Sequence, residues 1–180
     1  AFYPFDPKPT PDSSWGLMTG PEGRIYAASC CELVPGGGVY IDRYNDETDS
    51  LETVVDVPEA LGEPADSGRP TQCKIHYSFC PSAGEGVLYA GDWKDPKRSF
   101  PCSYLLAFDV HRDEVLWSAP FIPREGCRCL ALDEERRKLY AISYPRDHFW
   151  IYDLLKREIR DMGRLGSVNS QAIFTDRRGR

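Results

Sequence analysis

"CPSAGEGVLYAGD", Cys80 to Asp92, places a Gly-rich polar turn before two apolar residues and a tyrosine, then small residues and an aspartate. The same order returns in "MTGPEGRIYAAS" (Met18 to Ser29) and "LDEERRKLYAIS" (Leu132 to Ser143), so Tyr26, Tyr89 and Tyr140 are equivalent. A second landmark follows each tyrosine: "DRYNDETDSLETV", "LAFDVHRDEVLWS" and "WIYDLLKREIRDM" align Tyr44, Phe108 and Tyr152, followed by Asn45, Asp109 and Asp153. An aromatic, an Asn or Asp, a few polar residues and an alternating apolar run is the signature of a β-hairpin. The tyrosines recur after 63 and 51 residues and the hairpin aromatics after 64 and 44, so the units differ in loop length.

Each unit holds four strand-like runs: "WGLMT", "RIYAAS", "GVYIDRY" and "LETVVDV"; then "KIHYSF", "GVLYAG", "YLLAFDV" and "EVLWSA"; then "CRCLAL", "KLYAIS", "FWIYDL" and "EIRDMG". Four short strands in a repeat of about 40–60 residues is how a β-propeller blade reads. Helical periodicity is absent over any useful window. The expected fold is all-β: four-stranded antiparallel blades over about 15–60, 72–122 and 126–165, after an extended Pro-, Asp- and Ser-rich arm at 1–14. The first strand of a further blade is expected over 168–180, where "TDRRGR" repeats the turn of "TGPEGR". Three blades and a strand make an arc, and a propeller protects its sheet edges by closing the ring. The partners expected are therefore the remaining blades of a seven- or eight-bladed ring, or a second copy of the chain.

Bulk composition narrows the function classes. The 180 residues are 41% hydrophobic and 28% charged, enough for a packed core. A net charge of -6 and a pI near 5.1 argue against a nucleic-acid partner, which needs clustered Lys and Arg. No apolar run approaches the ~20 residues of a membrane span. Seven cysteines is an odd count, and none of their spacings is the paired C-x-x-C of a zinc ribbon. Buried reduced thiols are the favoured reading, with one or two strand-linking disulfides as the alternative.

The chain resembles the β-propellers whose blades start D-x-x-G-x-[IVL]-Y, a group that includes lactonase-like, virginiamycin-lyase-like and quinoprotein-like repeats. "GVLYAGD" followed by "YLLAFDVHRDEVLW" looks most like the quinoprotein type, with Trp117 at the terminal Trp position and "HRDE" in place of the usual turn glycine. The resemblance covers nearly everything after Trp15. It implies a fold that hosts hydrolases, lyases, dehydrogenases and scaffolds, so function has to be argued from a site.

The innermost strand of a blade lines the central channel. Counting five residues back from the turn positions Gly20, Pro81, Asp133 and Asp176 gives Trp15, His76, Arg128 and Gln171, with Lys74 one strand step from His76. A Lys, an Arg and a His facing one funnel suit an anionic ligand such as a uronate or other acidic saccharide, with Trp15 as a stacking platform. In an enzymatic reading, Arg128 and Lys74 neutralise the carboxylate while His76 serves as catalytic base. His111 and His148 are expected in outer hairpin turns, so the residues point to no metal, and no cofactor motif appears. The "PGGG" at Pro35 to Gly38 lies between strands and opens no helix, which makes it a poor phosphate cradle.

Two functions are open to these residues. One is a non-catalytic propeller module, a ligand-binding or interaction scaffold with an anion- or carbohydrate-suited funnel. The other is a carbohydrate lyase or lactone hydrolase using that funnel as its active site.

Overall fold

Hairpins set the architecture, and six of them among the described residues share one turn design. The computed structural model describes residues 11–31, 38–62, 73–94, 101–166, 170–176 and 178, with Cys73 and Lys94 by backbone alone. Four residues after the first strand of each hairpin ends, the backbone takes a positive φ: at Gly23, Asp49, Gly86, Asp113, Arg137 and Arg157. That conformation costs an L-residue roughly 1–2 kcal/mol. Side chains offset the cost: Asn45 Oδ1 accepts from the Glu47 and Thr48 N–H groups, Asp109 Oδ1 from His111 and Arg112, and Asp153 Oδ1 from Leu155 and Lys156. The landmark Asn and Asp residues thus build their turns directly.

The first sheet runs β1 (Ser13–Thr19), β2 (Ile25–Cys30), β3 (Val39–Asn45) and β4 (Ser50–Asp56) in order. A four-residue helix, α1 (Val57–Ala60), comes next; Asp56 caps it by accepting from the Glu59 N–H at 3.1 Å. After it come β5 (Cys73–Lys74), β6 (Phe79–Ser82), β7 (Val87–Gly91), β8 (Trp93–Lys94), β9 (Cys102–Asp109) and β10 (Glu114–Pro123). The second sheet is β6-β7-β9-β10, while β5 and β8 pair as a separate two-stranded ribbon. The third sheet is β11 (Gly126–Asp133), β12 (Lys138–Tyr144), β13 (His148–Asp153) and β14 (Glu158–Arg164). All pairs within the sheets are antiparallel, so the three sheets are three propeller blades with β1, β6 and β11 innermost.

Packing explains why the middle blade reads as continuous apolar sequence. Leu88, Ala90, Leu106 and Phe108 face Tyr26, Ile41 and Val55 of the first sheet. Val87, Tyr89, Leu105 and Ala107 face Leu130, Leu139, Trp150 and Tyr152 of the third. Because strand side chains alternate, residues 87–90 of β7 and 105–108 of β9 are apolar at every position and so serve both cores. On the turn side, Arg43 pairs with Asp113 at 2.5 Å, and Glu134 accepts from Ser82 Oγ at 2.7 Å and from the Gly84 N–H at 3.2 Å.

Four expectations shift. "KIHYSF" is not one strand: the inner strand of the second blade starts at Phe79, and Pro81 pairs with Leu88 inside it. An innermost strand has a free edge, which tolerates the missing proline N–H. Val57 opens α1 rather than ending β4. His148 begins β13 instead of sitting in a turn, its Nδ1 2.8 Å from Asp161. Residues 170–176 form no ladder among the described residues but run beside the third blade. Ser170 N–H and Oγ donate to Asp147, and Thr175 Oγ1 donates to the Leu132 carbonyl at 2.7 Å. Most of the N-terminal arm and Pro35 to Gly37 lie outside the described residues. No helix among the described residues is long and apolar enough to cross a membrane.

Candidate functional site

Ladder register puts one residue of each inner strand at the same level. Gly16 pairs with Ala28 and Cys129 with Ile142, while Gly91 N–H donates to the Ser78 carbonyl; the partners stand two residues after Tyr26, Tyr140 and Tyr89. Gly16, Ser78 and Cys129 are therefore equivalent, and so are Trp15, Tyr77 and Arg128 just before them. Both β1 and β11 break register at this level, leaving Trp15 and Arg128 as the extra residue of a β-bulge. A bulge re-aims the side chain it carries.

Four of the five residues singled out in the sequence come together here. Lys74, held by the pairing of β5 with β8, places its ammonium 4.8 Å from the Trp15 ring and 4.9 Å from the Trp93 ring. Such a double aromatic contact stabilises a cation through the ring quadrupoles. The His76 ring lies 5.0 Å from Trp15 and edge-on to Trp93 at 6.2 Å. Arg128 Nη1 stands 3.3 Å from His76 Nε2, and its guanidinium 5.7 Å from the Tyr144 ring. Gln171, expected as the fourth member, is exposed, and no hydrogen bond or ring contact among the described residues ties it to the others.

Electrostatics separate the roles of these groups. His76 is 2% exposed, and burial, followed by the charges of Arg128 and Lys74, pushes its pKa down to about 3. It is a neutral imidazole at neutral pH. Since the guanidinium can only donate, Nε2 is the acceptor and the ring proton belongs on Nδ1. That Nδ1 has no partner among the described residues, nor do the buried Arg128 Nε and Trp93 Nε1. Three buried donors without acceptors thus sit in one cluster with two cations. Burial also lowers the pKa of Lys74.

Trp93, Tyr144 and Tyr77 were not singled out in the sequence. Trp93 and Tyr144 each stand four residues after a landmark tyrosine, where the first blade has Cys30, so one more step along the repeat finds them. Trp93 fits because Gly126 has no side chain: a Cβ there would lie 1.8 Å from its Cδ1. Cys30, Cys80, Cys127 and Cys129 carry free, buried thiols, and burial pushes each pKa up. They behave as small apolar residues rather than nucleophiles.

No family model matches the chain, and no curated protein matches it. Among solved structures, it is similar to the WD40 repeats of RRP9 (14% identity, TM-score 0.59, 90% of this chain and 42% of that one). It is also similar to U3-55K (14%, 0.58, 92% and 44%). A third is the extracellular domain of the putative one component system BT4673 from B. thetaiotaomicron (13%, 0.62, 93% and 20%). The chain spans less than half the length of each. At such identity the likeness concerns the fold alone, and it agrees with the three four-stranded sheets: the chain is built of β-propeller blades.

Proposed function

We propose that the chain is a propeller binding module whose channel wall takes an anionic, carbohydrate-like ligand. The observation that carries this reading is the donor-rich cluster: Arg128 and Lys74 beside a neutral His76, with unpartnered His76 Nδ1, Arg128 Nε and Trp93 Nε1. A carboxylate supplies acceptors, and guanidinium–carboxylate hydrogen bonds are charge-assisted. Trp15, 39% exposed, offers its ring to the apolar face of a sugar. The catalytic-base role fits less well. A general base needs proton affinity near the working pH, and an imidazole pushed down to about 3 has little.

Calorimetric titration with trigalacturonate and with neutral maltotriose tests the proposal. The acidic trimer should bind and the neutral one should bind far more weakly. Arg128→Gln should weaken the acidic trimer roughly tenfold or more, as expected for a lost charge-assisted hydrogen bond. Equal binding of both sugars, or an affinity indifferent to Arg128→Gln, would contradict the reading.

A further inference from the structure

Tyr77 occupies the level of Trp15 and Arg128 on the middle blade, between them in the order of inner strands. It lies outside the regular ladder of β6 and makes a parallel bridge to Cys129 of the neighbouring inner strand, where its carbonyl accepts from the Leu130 N–H at 3.2 Å. That bridge fixes the backbone beneath an aromatic ring that is 55% exposed, while the next residues in line, Ser78 and Cys129, are wholly buried. The inner strands thus carry an indole, a phenol and a guanidinium in succession at one level, the two rings exposed and the guanidinium partly buried, and bury the residue after each. Neighbouring paired strands lie about 4.8 Å apart, so the platform beside Arg128 is within reach of a ligand that pairs with the guanidinium.

We infer that Tyr77 is a ligand-contact residue, and that Trp15, Tyr77 and Arg128 form one extended site for an acidic oligosaccharide rather than for a single acidic sugar. The inference rests on the anion-binding reading of the same wall and adds its extent. Arg128 pairs with a carboxylate, and the rings of Tyr77 and Trp15 stack on the apolar faces of adjoining pyranose units. A single sugar that pairs with Arg128 does not need Tyr77.

The test compares trigalacturonate with monomeric galacturonate on the 180-residue chain and its Tyr77→Ala, Tyr77→Phe and Tyr77→Leu variants, by calorimetry. Loss of one stacking platform should weaken the trimer roughly three- to tenfold in the Ala and Leu variants and leave monomer affinity unchanged. Phe, which keeps the flat face, should bind like the parent. Equal melting temperatures in the parent and the Leu variant place any loss in binding rather than folding. A trimer affinity untouched by Tyr77→Ala but reduced by Arg128→Gln overturns this inference while the anion-binding reading stands. Equal weakening of monomer and trimer by Tyr77→Ala overturns the extended site. A parent chain that binds neither sugar overturns both.

Discussion

Burial holds the imidazole of His76 neutral well below the pH at which a solvated histidine gains its proton. The unfolded chain, with an ordinary histidine near 6.5, binds more protons than the folded one between about pH 6.5 and 3. The stability contributed by the neutral imidazole is therefore complete above about 6.5 and falls as pH drops toward 3. The slope approaches ~1.4 kcal/mol per pH unit over that window. Urea unfolding at pH 7.0, 5.5 and 4.5 checks this against His76→Gln, which cannot gain the charge. The parent should lose stability more steeply than the variant on acidification. Parallel pH profiles would mean that the imidazole takes up its proton as readily in the folded chain as in the unfolded one.

Among the elements, the middle sheet is packed on both faces and the outer two on one. The first sheet leaves Leu17 76% exposed and Ile25 44%; the third leaves Met162 at 50%, with Phe174 of the adjoining segment at 83%. We propose that further blades, in a longer chain or in a second copy of this one, cover these faces, since exposed apolar sheet faces of this kind favour association. Size-exclusion chromatography with light scattering on the 180-residue chain should then show self-association that grows with concentration. A monodisperse monomer across the range would rule out a second copy as the cover. The same elements show what a repeat carries. Turns that depend on a side chain, as at Asn45, Asp109 and Asp153, were legible because the residue that builds the turn also marks it. The second inner strand reads one position out from sequence because Pro81 looks like the start of the turn, whereas it pairs inside β6 at a free edge and Ser82 stands where Gly20 and Asp133 do. The offset separates His76, buried against Trp15 and Arg128, from its exposed neighbour Tyr77.

For the whole molecule, the propeller blades say little about chemistry, because the same architecture carries catalysts and scaffolds alike. Binding is supported by a convergence from separate stretches of chain: Trp15 and Arg128 from the bulges of two blades, Lys74 and Trp93 from a two-stranded ribbon, and Tyr144 from the end of β12. No single stretch of sequence holds that arrangement, which is why it emerged only in part from the repeat. Its location can be read from the chain's four tryptophans. Trp15 and Trp93 flank Lys74, whereas Trp117 and Trp150 lie with the packing between the second and third blades. The most direct measurement is a proton–nitrogen NMR titration of the four indole N–H signals with trigalacturonate. The signals of Trp15 and Trp93 should shift together and saturate, while those of Trp117 and Trp150 stay in place. Shifts confined to Trp117 or Trp150, or no shift at saturating trimer, would contradict a ligand site on the channel wall.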